Sequence, residues 1–265
     1  MMDHKMMELI DTHCHLDLED FDPDREDVIG RAREAGVVQM MTIGIDPATS
    51  ARAVELARRH DFIFAAVGHH PHDAEKLDQA GLDRLRDLAR DPKVRAFGEI
   101  GLDFFRNISP RQVQEDRFAD LIELGLELGL PLIIHDRDAH EEVYRRLQAA
   151  GAGKNGGIIH CFSGDWSLAR RFLDLGFMIS VPGTITFPKA EALRDVVRKI
   201  PLEGLLLETD APFLAPVPRR GRRNEPALVR YTALEAARIR NMPVEELAAA
   251  TTANARRIFR LEAAS

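Results

Sequence analysis

Two histidines separated by one residue follow a short apolar run near the start of the chain, in the stretch Asp11-Thr12-His13-Cys14-His15. Side chains alternate between the two faces of an extended strand, so His13 and His15 share one face with Asp11. Thr12 and Cys14 point the other way. Two imidazoles roughly 6–7 Å apart along a strand can both reach one divalent ion. An isolated pair of this kind more often belongs to the core or the surface than to a metal site. The rest of the sequence must therefore show whether these two histidines bind metal.

Eight apolar runs of strand length recur along the chain, with helical patterns between them. The runs are residues 8–13, 37–43, 62–67, 94–97, 132–135, 157–160, 177–181 and 205–208. Helices are expected at residues 25–35, 48–60, 82–90, 139–150, 167–175, 189–199, 226–241, 244–250 and 253–260, and a long one that Ser109 caps before Pro110. Eight such units predict an α/β fold, a single-domain (β/α)8 TIM barrel. The alternative, a doubly wound sheet, usually carries a Gly-rich loop after its first strand.

The reactive face of such a barrel is the carboxyl end of its strands. Ligand-type residues fall at these ends: His13, His15, His69, His70, His72, Glu99, Asp103, His135, His160, Glu208 and Asp210. Imidazoles and carboxylates suit Zn, Mn, Fe, Co or Mg, and Glu99 is the candidate to bridge two ions. Two ions about 3.5–4 Å apart lower the pKa of a bridging water and clamp a transition state, so the predicted chemistry is hydrolysis.

Composition limits the partners and the compartment. The formal net charge of −7 disfavours a broad duplex-binding surface but allows a small anionic group beside a local basic loop, residues 218–223. The only two cysteines, Cys14 and Cys161, are expected to be small buried residues that face away from the metals, in a reducing cytoplasm. No apolar run approaches the roughly 18 residues of a membrane span. Residues 1–7 are expected to be a ragged N-terminus in which His4 has no function, before a barrel of residues 8–265.

The sequence resembles the TatD family of metal-dependent deoxyribonucleases, within the amidohydrolase-like barrels, over residues 9–259. The resemblance rests on residues 11–17, Gly68-His69-His70-Pro71-His72, Gly98-Glu99-Ile100-Gly101-Leu102-Asp103, His135-Asp136-Arg137, His160-Cys161-Phe162-Ser163-Gly164, Glu208-Thr209-Asp210-Ala211-Pro212, Arg223-Asn224-Glu225-Pro226 and residues 251–259. These motifs together are specific for the family and less specific for the substrate.

The resemblance implies two divalent ions per chain, Mg, Mn or Zn. One would be held by His13, His15, Glu99 and Asp210, and the other by Glu99, His135 and His160. Asp210 would also act as general base on the attacking water, and His70 would contact the scissile phosphate or position water.

Other polar residues near these ends have supporting roles in this interpretation. His69 is expected to be incidental, and the role of His72 stays open. The carboxylates Asp11, Asp103 and Glu208 are expected to orient ligand imidazoles. Guanidinium groups suit phosphate, so Arg137, Arg222 and Arg223 are the candidate substrate contacts. The last two belong to the basic loop from Arg219 to Arg223. The aromatic residues Phe104, Phe105 and Trp166 could stack unpaired bases or pack a loop.

Three hypotheses follow. The first is a two-metal deoxyribonuclease, a 3′–5′ exonuclease, that acts as a monomer on single-stranded or frayed 3′ ends of DNA without membrane contact. The second keeps the metals but hydrolyses an ester or amide, such as an aminoacyl-tRNA ester. The third is a barrel that keeps metal for stability and only binds a partner, against which the complete ligand set argues.

Overall fold

Eight parallel strands form one sheet in the order of the chain. The computed structural model describes residues 7–262, and in it each strand pairs with its neighbours in sequence. The strands are β1 (Leu9–Cys14), β2 (Val37–Ile43), β3 (Ile63–Val67), β4 (Val94–Asp103), β5 (Leu132–Arg137), β6 (Gly157–Ile159), β7 (Phe177–Val181) and β8 (Leu205–Leu207). The Asp210 amide donates to the His13 carbonyl at 2.9 Å, and the His15 amide donates to the Ala211 carbonyl at 2.7 Å. These contacts join β1 to the end of β8, and the predicted single-domain (β/α)8 TIM barrel is confirmed.

Helices pack around the strands: α1 (Arg25–Glu34), α2 (Pro47–Arg59), α3 (Gln79–Leu88), α4 (Arg111–Glu127), α5 (His140–Ala149), α6 (Trp166–Asp174), α7 (Glu191–Lys199), α8 (Val229–Arg240) and α9 (Val244–Phe259). Local capping fixes several of their starts. The Asp46 carboxylate accepts the amides of Ala48 and Thr49 at the start of α2, and the Asp165 carboxylate accepts the Leu168 amide at the start of α6. The helix positions agree with the sequence pattern to within a few residues.

Three local expectations about the helices are wrong. Ser109 does not cap α4, because its hydroxyl donates to the His72 carbonyl at 2.8 Å, and the helix begins at Arg111. Residues 226–228 form a 3-10 turn before α8. The two short helices predicted after residue 243 are one continuous helix, α9, in which the Thr251 hydroxyl donates to the Leu247 carbonyl one turn earlier. The Thr252 hydroxyl donates to the Glu8 carbonyl, just before β1.

The core has two layers. The larger lies between the strands and the helices, and a smaller one fills the inside of the barrel with alternate strand residues such as Met41, Ile133 and Leu206. Phe259 and Leu261, which are buried, join the inner layer from α9 and the turn after it. Since Asn254 of α9 donates to the carbonyls of Leu202 and Leu205, α9 covers the end where the strands begin. The opposite end stays open for chemistry.

The described part of the chain begins at residue 7. The predicted ragged N-terminus falls largely on residues 1–6, which together with His4 lie outside the described residues, and Met7 packs against the outer core layer. None of the helices within residues 7–262 has the length and apolar character that crossing a bilayer requires.

Candidate metal centre

The first group of ligand-type side chains comes from the end of β1, at His13 and His15, and from Asp210, three residues after β8. Nε2 of His13 and Nε2 of His15 lie 3.2 Å apart. Oδ1 of Asp210 lies 3.7 Å from Nε2 of His13 and 3.4 Å from Nε2 of His15. The backbone bonds that close the barrel hold these three residues together, since they join His13 to Asp210 directly. The two imidazoles therefore converge as the strand pattern predicts.

Glu99 lies at the centre of the site and is 3% exposed. Its Oε2 lies 3.4 Å from Nε2 of His13 and 3.9 Å from Nε2 of His15. Its Oε1 lies 2.7 Å from Nδ1 of His135 and 3.0 Å from Nε2 of His160. The two oxygens thus face two different pairs of imidazoles, which is the arrangement that a carboxylate bridging two ions requires.

The backbone of β4 is irregular where it presents Glu99. The pairing of β4 with β5 shifts register between Phe97 and Ile100, and such irregularities redirect side chains near functional sites. A Cβ added to Gly68, at the end of β3, would lie 2.4 Å from the carbonyl carbon of Gly98. Only glycine allows this approach of the two strand ends, which brings the residues after Gly68 next to Glu99.

The outer nitrogens of three imidazoles face acceptors. Nδ1 of His15 donates to the Ile43 carbonyl at 2.8 Å, and Nε2 of His135 donates to Oδ2 of Asp103 at 3.2 Å. Nδ1 of His160 faces Oε1 of Glu208 at 3.3 Å. A neutral imidazole that keeps its proton on the outer nitrogen presents a lone pair on the inner one. All three inner lone pairs then point at the carboxylates of the centre, so the donor set fits divalent metal ions.

His70 is arranged the opposite way. Its Nδ1 accepts the His72 amide at 3.1 Å, and burial lowers the pKa of His70 well below its usual value, so the ring is neutral. Its proton must then lie on Nε2, which faces Oε1 of Glu99 at 3.6 Å and Nδ1 of His135 at 3.3 Å. His70 therefore brings a hydrogen-bond donor to the centre, whereas the ligands bring lone pairs.

Charge is balanced inside this buried cluster. Burial opposes the charged form of His15, yet Asp210 and Glu99 raise its pKa to about 9. Burial likewise opposes the carboxylate of Glu99, but the surrounding histidines, His160 first, hold its pKa well below the usual range. Burial and the neighbouring His160, whose ring stacks on His13 at 3.8 Å, lower the pKa of His13 to about 3. In the metal-free centre, protons on some imidazoles thus balance the carboxylates.

The supporting carboxylates divide into two kinds. Asp103 contacts both His135 and Nε2 of His72, the latter at 2.8 Å, and these contacts hold its pKa well below the usual value although burial opposes this. Glu208 accepts the Cys161 amide at 2.7 Å and lies against His160. Asp11 differs from both, and the expectation that it orients a ligand imidazole is wrong.

Asp11 contacts backbone and hydroxyl groups, with no imidazole among its partners. It accepts the amide and hydroxyl of Thr209 at 2.9 and 2.5 Å and the backbone amide of His13 at 3.3 Å. It fastens β1 to the residues after β8, because both partners belong to those segments. His69 is also structural, since its Nε2 donates to the Asp73 carbonyl at 2.8 Å.

The two cysteines differ. Cys14 is buried and its thiol donates to the Met41 carbonyl at 3.2 Å, away from the centre. Cys161 is only half-buried, so the expectation that it is a buried residue is wrong, whereas its orientation away from the metals stays a prediction. β6 ends at Ile159 and Cys161 has a φ of +46°, so strand alternation no longer applies there. Burial and then the carboxylates of Asp210, Glu208 and Glu99 raise the pKa of its thiol.

The three candidate arginines lie in different surroundings. Arg137 is exposed, with its guanidinium 4.6 Å from the centre of the Phe105 ring. Arg222 is exposed in the loop after β8. Arg223 bonds to the Asp24 carboxylate at 2.6 Å and to the Asp20 carbonyl, so it fastens this loop to the start of α1. Its role as a substrate contact stays a prediction.

Sequence analysis missed Phe213. Its ring centre lies 6.0 Å from that of His15, at the rim of the centre, and the side chain is 51% exposed. Its position directly after the motif of residues 208–212, three residues from Asp210, was the available indication.

The chain is similar to known proteins over nearly its whole length. The family model described as TatD related DNase matches residues 10–260. The uncharacterized metal-dependent hydrolase YabD of Bacillus subtilis is 44% identical over 253 residues, 96% of this chain and 99% of that protein. The protein named 3'-5' ssDNA/RNA exonuclease TatD of Salmonella typhimurium is 38% identical, covering 95% of this chain and 98% of that protein. The crystal structure of YJJV, a TatD homologue from Escherichia coli K12, superposes with a TM-score of 0.92 at 35% identity, covering 97% of this chain and all of that one.

Proposed function

Because the chain belongs to the TatD-related DNase family, we propose that it is a divalent-metal-dependent exonuclease that removes nucleotides from the 3′ ends of single-stranded or frayed DNA. The chain is a metal-dependent hydrolase of this family, and the substrate and polarity are the proposal. The observation that carries it is Glu99, whose two oxygens face separate imidazole pairs at 2.7–3.9 Å. Relatives of 37–38% identity are named 3'-5' ssDNA/RNA exonucleases, which supports a single-stranded substrate and extends it to RNA.

We propose two ions per chain, Mg, Mn or Zn. His13, His15, Glu99 and Asp210 would hold one ion, and Glu99, His135 and His160 would hold the other. When bound, two such ions would activate water and neutralise the charge that develops on a phosphodiester. The remaining steps belong to side chains of this protein.

Asp210 is positioned to accept a proton. Its side chain is 13% exposed, against 3% for Glu99, so it is the more accessible of the two central carboxylates. We assign it the role of general base, which takes the proton of the attacking water. A base of this kind must reach the proton directly and remain ionised.

Two further groups act on the phosphate. His70 presents the Nε2 proton described above, which would donate to a non-bridging phosphate oxygen. Arg137 is exposed two residues after His135 and supplies a permanent positive charge, which suits a phosphodiester better than a neutral ester. These donors are the reason to favour phosphodiester hydrolysis over amide hydrolysis.

The test uses metal-free protein and single-stranded DNA labelled at the 5′ or the 3′ end. Mg, Mn or Zn is added in turn, with chelator as one control and Asp210→Asn as the other. We expect a metal-dependent ladder that shortens from the 3′ end and is absent from both controls. No cleavage of DNA or RNA with any ion, together with turnover of an aminoacyl-tRNA ester, would overturn the proposal in favour of the ester hydrolase. The cytoplasmic location and the monomeric state stay predictions.

A further inference from the structure

Exposed apolar side chains concentrate at one end of the barrel. Among residues 7–262, five large apolar side chains are exposed, and four of them follow the ends of β4 and β8: Phe105, Ile108, Phe213 and Val217. The fifth, Leu234, lies on α8. A grouping of exposed apolar residues beside a polar site marks a binding surface. The four residues follow the carboxyl ends of strands, so they lie at the end of the barrel that carries the metal centre, and their partner reaches the same end as the substrate.

Phe213 is held rigidly beside the first half of the centre. Its amide donates to the Asp210 carbonyl at 2.8 Å, and its carbonyl accepts from the buried side chain of Asn224 at 2.6 Å. The ring nevertheless remains 51% exposed next to His15. A fixed backbone that presents an exposed ring loses little conformational entropy when a flat group stacks on it.

Phe105 lies on the other side of the metal centre, near His135. It follows Asp103, the partner of His135, by two residues, and it is 58% exposed. The Arg137 guanidinium lies 4.6 Å from its ring centre. Aromatic rings and guanidinium planes are the groups on which unpaired bases stack. The centre thus has one stacking group on the His15 side and another on the His135 side.

We propose that Phe213 and the Phe105–Arg137 pair stack the two bases on either side of the scissile phosphodiester, and so select unpaired strand ends. This inference rests on the proposed function and names its specificity residues. Charge complementarity supports a nucleic acid as the occupant, because Arg106, Arg219, Arg220 and Arg222 are also exposed in the loops after β4 and β8. A duplex end offers its bases only after unpairing and unstacking, which cost a few kcal/mol.

The chain offers a matched control. Arg33 lies 4.3 Å from the centre of the Phe62 ring, and Phe62 precedes β3 at the opposite end of the barrel. The variants are therefore Phe213→Leu, Phe105→Leu and Phe62→Leu, which remove aromaticity but keep apolar volume. Each is tested with metal on single-stranded DNA and on the same strand carrying an abasic residue at the last or the penultimate position. Each is also tested without metal, by the fluorescence quenching of 2-aminopurine at those positions.

Wild type should lose about 5- to 150-fold in kcat/KM for each missing base, the range that a stacked base contributes. Phe213→Leu and Phe105→Leu should each lose similarly on intact DNA, show no further loss at one abasic position, and quench 2-aminopurine less. Phe62→Leu should match wild type. If the wild type cleaves DNA but both variants keep the full preference for base-bearing strands, the inference fails while the proposed function stands. If the wild type neither cleaves DNA nor quenches 2-aminopurine, the proposed function and the stacking inference both fail. If the wild type quenches 2-aminopurine without cleaving DNA, and Phe213→Leu loses this quenching, the result supports the stacking site alone.

Discussion

Asp103 tests whether the outer partner of a ligand imidazole controls metal affinity. Its side chain is 2% exposed, and Oδ2 accepts from Nε2 of His135 at 3.2 Å and from Nε2 of His72 at 2.8 Å. Its Oδ1 accepts the Arg106 amide at 2.7 Å. Both oxygens of Asp103 therefore accept hydrogen bonds. Asparagine has only one oxygen, so Asp103→Asn must turn its NH₂ group toward either the two imidazoles or the Arg106 amide.

The consequence for His135 is a change in where its proton lies. Without the acceptor at Asp103, the proton can move to Nδ1, which faces Oε1 of Glu99 at 2.7 Å and should be the metal-binding atom. Loss of such an outer partner weakens metal binding by about 10- to 100-fold, or ~1.4–2.8 kcal/mol. Only the ion held by His135, His160 and Glu99 should be affected. His15 keeps its partner because the Ile43 carbonyl belongs to the backbone.

Calorimetric titration of Mn²⁺ into metal-free protein would measure both dissociation constants. Asp136→Asn is the matched control, since Asp136 is also buried, follows His135 directly and contacts an imidazole, that of His140 at 2.8 Å, which is outside the centre. We expect one weakened ion in Asp103→Asn and two unchanged ions in Asp136→Asn. Equal weakening of both ions, or of neither, in an Asp103→Asn protein that melts like wild type would refute the reasoning.

Three further outcomes are expected. Asp210→Asn should lower kcat by about 10²- to 10⁴-fold, the usual contribution of a general base, with an unchanged thermal midpoint; near-normal turnover would remove Asp210 from the mechanism. Because the pKa of His15 is raised to about 9, metal must displace protons at neutral pH, so affinity should rise as pH approaches that value and calorimetry in two buffers should detect proton release; pH-independent binding would contradict this. Phe259→Ala should cost ~3–5 kcal/mol of unfolding free energy in urea while kcat/KM stays unchanged, since Phe259, the last residue of α9, is 1% exposed in the inner core layer. An activity loss in the still-folded protein would show that the two ends are coupled.

The clustering of the candidate ligands could be predicted because parallel strands bring their carboxyl ends to one pole. His13, His135 and His160 each close an apolar run, and periodicity alone places them together. The end of β4 was harder to predict. The predicted run stops at Phe97, whereas the strand continues to Asp103 through polar and glycine residues that also suit a loop. Glu99 was nevertheless singled out, because it follows this run and a carboxylate there could be shared between two ions, although it lies inside β4 and not at its end.

Partners distant in sequence could not be predicted. Arg223 and Asp24 are 199 residues apart, and Asp11 and Thr209 are 198 apart. Hydrophobic periodicity indicates which face a side chain takes, but it contains no information about which residue of another strand or helix meets it there. The same limit applies to Phe213, whose exposure depends on how Asn224 holds its backbone.

The roles of the histidines illustrate this limit most directly. His15, His70 and His135 all come after apolar runs, so periodicity alone presents them as equivalent. In the fold, the Ile43 carbonyl and the Asp103 carboxylate take the outer protons of His15 and His135, whereas the His72 amide donates to the outer nitrogen of His70. An outer acceptor leaves a lone pair for a metal, and an outer donor leaves a proton for the substrate. Hydrophobic periodicity does not distinguish a candidate ligand from a candidate hydrogen-bond donor. The neighbouring elements do, and they agree with the separate role that the family resemblance gave His70.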